Sequence, residues 1–444
     1  MKKNNLSVGA HIEVDSSQGV FTGSVIPSFE QDVLAIKLDS GYNVGIAVGN
    51  VKNIKKLGAG KKVGKGKVAS AVKKNPELPL ISILHTGGTI ASRVDYRTGA
   101  VFSAFTPEDL LTMFPELGDI ANFESRLVAN MWSDDLRFGH ISRIAKEVEK
   151  EVKKGVRGVI IGMGTDNMAV ASAALSFALE GCPVPVLFVG AQRSSDRGSS
   201  DAAMNLICAA NFILKSDFAG VAICMHHSSG DERCAILPGT KTRKLHTSRR
   251  DAFRAVNTTP IALVDYNSKK VEFLHKDYPR AGKGKLVVKP DFEDKVGLLK
   301  IHINMDPAIF DFFRKQKYKG LVIEGTGLGH TPGHVPSPEA AVYKKVFPAI
   351  SGFVKQGGVA VMASQCLFGR VHMHVYDKGT DLLKLGVVPG EDMLAETAFV
   401  KLAWLLGNYK KRADVERLLR ENLRGEITSR TMIQEADLPA INEN

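Results

Sequence analysis

From about residue 78 onward, short apolar runs alternate with longer amphipathic stretches. "LISIL" precedes "PEDLLTMF", "GVIIGMG" precedes "NMAVASAALSFALEG", "VPVLFVG" precedes "SSDAAMNLICAANFIL", and "GVAICM" follows. The short apolar runs read as strands and the longer stretches as helices. Such alternation predicts a parallel α/β sheet. Residues 277–294, "DYPRAGKGKLVVKPDFED", are polar and contain Pro and Gly, as a domain junction does. The alternation then resumes through "KVGLLKIHI", "DPAIFDFFRKQ", "GLVIEG", "PEAAVYKKVFPAISGFVKQ" and "GVAVMAS", and the tail from about 391 reads as helical. The pattern thus divides the chain into an α/β domain over 78–276, a linker over 277–294, and a second α/β domain with a helical tail over 295–444.

The first 57 residues follow another period. "HIEVDSSQGVFTGSVIP" and "VLAIKLDSGYNVGIAV" alternate apolar and polar positions around Gly, Ser and Asp turns. This reads as a small all-β, SH3-like barrel preceding the α/β part. Residues 58–77, rich in Gly, Lys and Ala, read as a flexible basic linker. They superficially resemble a phosphate loop, but neither Gly58 nor Gly60 has a Gly five residues on, so the GxxxxGK[ST] spacing fails.

Composition narrows the function classes. Of 444 residues, 44% are hydrophobic and 24% charged, an ordinary globular balance. The five cysteines form no CxxC pair, which argues against a disulfide framework or a cysteine zinc site and fits a reducing cytoplasm. No apolar segment approaches a membrane span, so a soluble cytoplasmic protein with no membrane contact is expected. The net charge of +12 favours polyanionic partners.

Ligands of open α/β sheets bind beyond the carboxyl ends of the strands. Gathered there are Thr86-Gly87-Gly88-Thr89 after "LISIL", Thr165-Asp166 after "VIIGMG", and "AQRSSDRGSSDAA" after "VLFVG". Each has an ordinary local reading: a turn for the glycines, an N-cap for Thr165, a first-turn acid for Asp166. Nucleophilic hydroxyls need a base. No GxSxG elbow exists, and no GxCxG surrounds Cys366. His330 and His334 have HxxxH spacing, but Pro332 and Gly333 spoil the helix a zinc site of that type uses. His372 and His374 would share one face of a strand, as packing or surface residues rather than ligands. No metal site is expected. Lysine remains as the base, with Lys241 and Lys244 in "TRKLHTSRRDAF" both available.

"TGGTIA", then "GTD", then a later lysine resembles the L-asparaginase/glutaminase amidohydrolases over about residues 78–410. "GAQRSSDRGSSDAAMNL", "RKLHTSRRDAFRAVN", "GTGLGHTP" and, near the amino end, "LDSGYNVGI" are further similar to the D-type (GatD) subunits of the archaeal glutamyl-tRNA(Gln) amidotransferases, which carry a small β-barrel first. The resemblance implies Thr89 as nucleophile, Tyr96 as the mobile-loop tyrosine polarising it, and Thr165 with Asp166 as the second threonine and its acid. It selects Lys244 over Lys241, because Lys244 keeps the family spacing to "DAF". It implies Ser133 at the substrate α-carboxylate and Gly88 and Gly164 as backbone substrate contacts. The sequence departs from the family around Ser133 ("MWSDDLR") and at "HMH", where asparagines are expected. The implied activity is glutamine hydrolysis supplying ammonia to convert Glu-tRNA(Gln) to Gln-tRNA(Gln). Implied partners are a GatE-like tRNA-binding subunit, which holds ATP and Mg, and a homodimer core within a heterotetramer of two D and two E chains; no cofactor is implied in this chain. A free-standing asparaginase with an extra barrel and a non-catalytic scaffold are the competing readings.

Overall fold

The computed structural model describes residues 6–7, 9–26, 32–38, 43–59, 75–88, 92–94, 101–103, 115–193, 200–282 and 285–430. The amino-terminal all-β region is a five-stranded antiparallel sheet of β1 (Ala10–Ser16), β2 (Gly19–Val25), β3 (Val33–Leu38), β4 (Asn43–Ala47) and β5 (Val51–Ala59), ordered β4-β3-β2-β1-β5. Ile12, Val14, Val25, Leu34, Ile36 and Ile46 form its core. Ile12 and Val14, and likewise Leu34 and Ile36, are two residues apart, so the alternation puts each pair on one face. The basic stretch 60–74 lies outside the described residues.

The following α/β unit is built on an eight-stranded sheet. Its strands are β6 (Leu80–His85), β7 (Asn122–Leu127), β8 (Gly158–Gly162), β9 (Pro185–Val189), β10 (Gly220–His226), β11 (Arg233–Pro238), then, after a hairpin of β12 (Thr242–Lys244) and β13 (Phe253–Ala255), β14 (Ala262–Asp265) and β15 (Val271–Phe273). The order is β15-β14-β11-β10-β9-β8-β6-β7. Neighbours from β10 to β7 are parallel, and every residue of β8 and β9 is buried. The β11, β14 and β15 edge is antiparallel. The six residues between β10 and β11 are too few for a parallel crossover, so the chain doubles back there. The sheet is therefore mixed where the sequence pattern predicts a parallel one.

Helix α1 (Phe138–Lys153) buries Ile141, Ile144, Ala145 and Val148, spaced three, four and seven apart, as one apolar stripe. It shares one side of the sheet with α2 (Met168–Ala178), while α3 (Ala202–Lys215) covers the other. The second half has a four-stranded parallel sheet, β16 (Val296–Lys300), β17 (Gly320–Gly325), β18 (Val359–Ser364) and β19 (Val388–Pro389), with α4 (Ala308–Lys315), α5 (Val346–Lys355), α6 (Asp377–Lys384), α7 (Ala395–Asn408) and α8 (Arg412–Leu419). One continuous core joins the halves through α2 and α7, where Phe177 stacks on Trp404 with centroids 5.7 Å apart and Trp404 Nε1 donates to Lys289 O at 3.0 Å. Between the halves, Val287–Val288 pairs with Leu179–Glu180.

His372 and His374 do not lie on a strand. Val371 N donates to Glu391 O and His372 N to Leu328 O, so successive amides bond different segments and no ladder forms; both rings are exposed in a turn. The amphipathic stretch 107–114 falls outside the described residues.

Candidate active site

The site assembles at the carboxyl ends of β6, β7, β8 and β9, as the open-sheet rule requires. Thr86, Gly87 and Gly88 follow β6. Thr86 N donates to Gly162 O at 2.9 Å and Met131 N to Thr86 O at 3.1 Å, pinning this turn between its neighbours. Gly87 and Gly88 hold φ of +102° and +88°, the left-handed region that favours glycine. A methyl carbon at Gly87 would sit 2.5 Å from Met131 O, and one at Gly88 would sit 2.3 Å from Gly164 N. The two candidate substrate glycines, Gly88 and Gly164, thus meet backbone to backbone. Gly164 in turn lies against Ser133, whose Cβ and Oγ would be 3.1 Å from an added carbon. Ser133 is buried, and its carbonyl accepts a bond from Asn167 Nδ2 at 2.9 Å.

Thr165 is buried just after β8. Lys244, the last residue of β12, reaches it from the hairpin: Nζ donates to Thr165 Oγ1 at 2.9 Å and to Asp166 Oδ1 at 2.7 Å. The Asp166 side chain is 64% exposed and that of Lys244 12%, so the carboxylate faces solvent while the amine is sheltered. Helix α2 starts at Met168 with Asn167 at its cap position, two residues beyond the cap expected at Thr165. Thr89 and Tyr96 lie outside the described residues.

The structure separates the two candidate lysines. Lys241 is buried and pairs with buried Asp392 of the second half, 2.6 Å away. Burial pulls its ammonium below the usual lysine range, against the raising effect of Asp392. It makes no contact with Thr165 of the kind that Lys244 makes. His85, at the end of β6, is buried with Nε2 2.8 Å from Ser125 Oγ, and burial pushes its imidazole down to about 4. Among the described residues no group of three or more His, Cys, Asp or Glu could hold a metal ion. No helix among them is long and apolar enough to cross a membrane.

Of three further contributors, Gly87 belongs to the glycine pair that the sequence marks as a turn, while nothing in the sequence singled out Asn167 or Gly190. Asn167 fixes the Ser133 carbonyl. Gly87 lets the Met131 backbone approach. Gly190, after β9, leaves room for Thr165, since a methyl there would lie 2.8 Å from Thr165 Cγ2. Their place after strand ends was readable; their contacts cross between strands and were not. A cavity of about 410 Å³ opens beside Lys244, lined by Asp166, Asn167, His246, Leu394 and Glu396 among others. A second, of about 540 Å³, borders Asn167 with Asp134, Asp135, Arg137 and Asp294. The first is large enough for an amino acid and carries both carboxylates and cations in its lining.

Comparison with known proteins covers nearly the whole chain. Residues 6–57 match the family model "GatD N-terminal domain", 80–278 "Asparaginase, N-terminal", and 295–419 "Glutaminase/Asparaginase C-terminal domain". The chain is 44% identical to the D-type subunit of glutamyl-tRNA(Gln) amidotransferase from Pyrococcus horikoshii, over 97% of each protein. It is 43% identical to the Methanopyrus kandleri protein of the same name, over 96% of this chain and 93% of that one. Among solved structures, the thermostable L-asparaginase from Thermococcus kodakarensis superposes with a TM-score of 0.70 at 28% identity, covering 79% of this chain and all of that one. An L-asparaginase I from Vibrio cholerae, at 24% identity and TM-score 0.68, shares the fold.

Proposed function

The chain belongs to the GatD family of glutamyl-tRNA(Gln) amidotransferase subunits, and on that footing we propose that it hydrolyses glutamine with a threonine nucleophile and hands the ammonia to a tRNA-binding partner subunit. The observation that carries this reading is the Thr165–Lys244–Asp166 cluster at the strand ends, where the Lys244 amine lies 2.9 Å from a hydroxyl and 2.7 Å from a carboxylate oxygen.

In this reading Thr89, the residue after Gly88, attacks the side-chain amide carbon of glutamine, with Tyr96 polarising its hydroxyl. The hydroxyl proton leaves as the C–O bond forms, and the carbonyl oxygen becomes an oxyanion held by backbone N–H groups of the Gly88 turn. The C–N bond breaks, the nitrogen takes up a proton, and ammonia leaves. Water then attacks the acyl-threonine and releases glutamate. Lys244 exchanges protons with Thr165 Oγ1, as a 2.9 Å bond allows. Asp166, held by Lys244 yet largely exposed, takes the substrate α-amino group. Ser133, fixed by Asn167, takes the α-carboxylate.

The partner, of the GatE type, binds Glu-tRNA(Gln) and uses ATP with Mg to activate the glutamyl end. The assembly is two copies of this chain, paired as a homodimer, with two partner subunits in the cytoplasm. A free-standing asparaginase would account for residues 80–419 but leaves the match of 6–57 to the GatD N-terminal domain without a role. The test is ammonia release from glutamine and from asparagine, with and without partner, ATP and Glu-tRNA(Gln). Stimulated, glutamine-preferring release is the expected result. Robust asparagine hydrolysis by the chain alone, indifferent to partner and tRNA, overturns it.

A further inference from the structure

The short strand that ends at Lys244 touches both halves of the molecule. Its residues alternate. Thr242 Oγ1 donates to Pro238 O at 2.6 Å and Lys244 reaches Thr165 and Asp166, all within the first half. Lys241 and Arg243, offset by one, go to the second half: Lys241 Nζ bonds Asp392 at 2.6 Å and Arg243 bonds Glu396. Within the strand a period of two sends Arg243 to the opposite side from Thr242 and Lys244, and Lys241, the residue just before the strand, reaches the same half as Arg243. Thr240, in the turn before the strand and outside its alternation, adds two more bonds to the second half: its Oγ1 donates to Arg424 O at 3.1 Å and its carbonyl accepts from Thr397 Oγ1 at 2.8 Å.

The anchor itself is tightly held. Asp392 accepts from Thr428 N at 3.0 Å and Thr428 Oγ1 at 2.5 Å, with Arg370 3.7 Å away. The return of the hairpin is clamped to the same place. Val256 N donates to Lys241 O at 2.8 Å, and Asn257, in the left-handed region at φ +56°, bonds Gly369 and the Asp392 carbonyl. Lys241 directly precedes the strand that ends at Lys244, and both are tied to the return of the hairpin, so a shift at one is passed to the other through the paired backbone. We propose that the buried Lys241–Asp392 pair is a positioning element that sets Lys244 against Thr165, so that the second half of the molecule controls the proton-transfer group of the first. This rests on the reading of Lys244 given above. It assigns a task to a buried ion pair of a kind that well-packed hydrophobic residues often replace without loss of stability. It also supplies a route by which a partner seated on the second half would switch glutamine hydrolysis on.

The test uses the full chain in complex with its partner. Two lever variants, Asp392→Asn and the volume-matched Lys241→Met/Asp392→Leu, guard against a misfolded single mutant. Each is made alone and together with Lys244→Arg. Two quantities are read: kcat and KM for ammonia release, and the rate at which an amine-specific reagent modifies each lysine, resolved by peptide mass spectrometry. A displacement of the Lys244 amine by about 1 Å predicts a kcat loss of roughly tenfold to a hundredfold with KM changed less than about twofold. It also predicts faster modification of Lys244, with exposed Lys270 unchanged. In the Lys244→Arg background the lever variants should cost less than about twofold more, because coupled residues are not additive. Equal losses in both backgrounds, or an unchanged Lys244 modification rate, overturn the proposal. If Lys244→Arg alone leaves kcat intact, the catalytic reading fails instead, and the modification rate still decides whether the lever exists.

Discussion

Replacing Gly88 with Ala is the most severe single-methyl change the site allows, and its size follows from the geometry. The added carbon would lie 2.3 Å from Gly164 N, 2.7 Å from Gly164 Cα and 2.8 Å from the Met163 carbonyl carbon. Ordinary contacts begin near 3.5 Å, so one backbone must retreat by roughly 1 Å. Neither can do so freely, because β6 and β8 are paired in register up to His85 and Gly162. Alanine at φ +88° adds about 1–2 kcal/mol of conformational strain. A 1 Å displacement of a positioned group costs about a hundredfold in rate, so kcat/KM for ammonia release from glutamine should fall at least that far. Gly164→Ala is the internal control. Its methyl would meet the Ser133 Cβ and Oγ at 3.1 Å, a few tenths of an ångström too close. Its φ is not in the left-handed region, so it should lose less than about tenfold. Both variants are assayed by steady-state ammonia release, with melting temperature alongside. Gly88→Ala retaining more than about a tenth of the parent kcat/KM, or Gly164→Ala losing as much as Gly88→Ala, refutes the backbone-contact explanation.

Three other outcomes follow from single contacts. Asn167→Ala removes the donor to the Ser133 carbonyl; loss of one such bond, about 0.5–1.5 kcal/mol, should raise KM for glutamine roughly threefold to tenfold with kcat less affected, as steady-state kinetics will read. His85 titrates near 4 in the fold against an ordinary 6.5, so the unfolded chain binds the extra proton between those values. Its contribution is complete above pH 6.5 and is lost as pH falls toward 4, about 3 kcal/mol in all; denaturant unfolding across that window should be visibly flatter in His85→Asn. Trp404→Ala hollows the core shared by the halves and removes the bond to Lys289 O, so chemical unfolding should show a loss of about 3–5 kcal/mol, with both halves reporting it.

What the sequence conveyed, and what it withheld, divides along contact range. Apolar runs such as "GVIIG" and "PVLFV" became fully buried parallel strands because a sheet covered on both faces leaves no polar position to break the run. The antiparallel edge was missed because the pattern marks a strand but not its direction; only the shortness of the β10–β11 turn reveals it. The site residues after strand ends were readable as a group from the open-sheet rule, and the Lys244 contact with Thr165 joins residues 79 apart that only the resemblance linked. Nothing local distinguished Lys241 from Lys244, since their partners lie 151 and 79 residues away. Asn167 and Gly190 were equally silent, because one acts through a backbone carbonyl and the other by having no side chain. "VHMHV" misled, as its alternation is that of a strand while its amides bond two unrelated segments.

Comparing two nitrogen donors in the full complex isolates the proposed role of Lys244 in glutamine hydrolysis from everything the proposed partner does. The Lys244→Met chain, its tRNA-binding partner, ATP and Glu-tRNA(Gln) are supplied with either glutamine or ammonium chloride, and Gln-tRNA(Gln) formation is followed. The variant is expected to lose the glutamine-dependent reaction by about a hundredfold or more and to keep the ammonium-dependent one at the parent rate. Undiminished glutamine-dependent formation, or loss of both reactions together, would show that Lys244 does not serve glutamine hydrolysis in the way proposed.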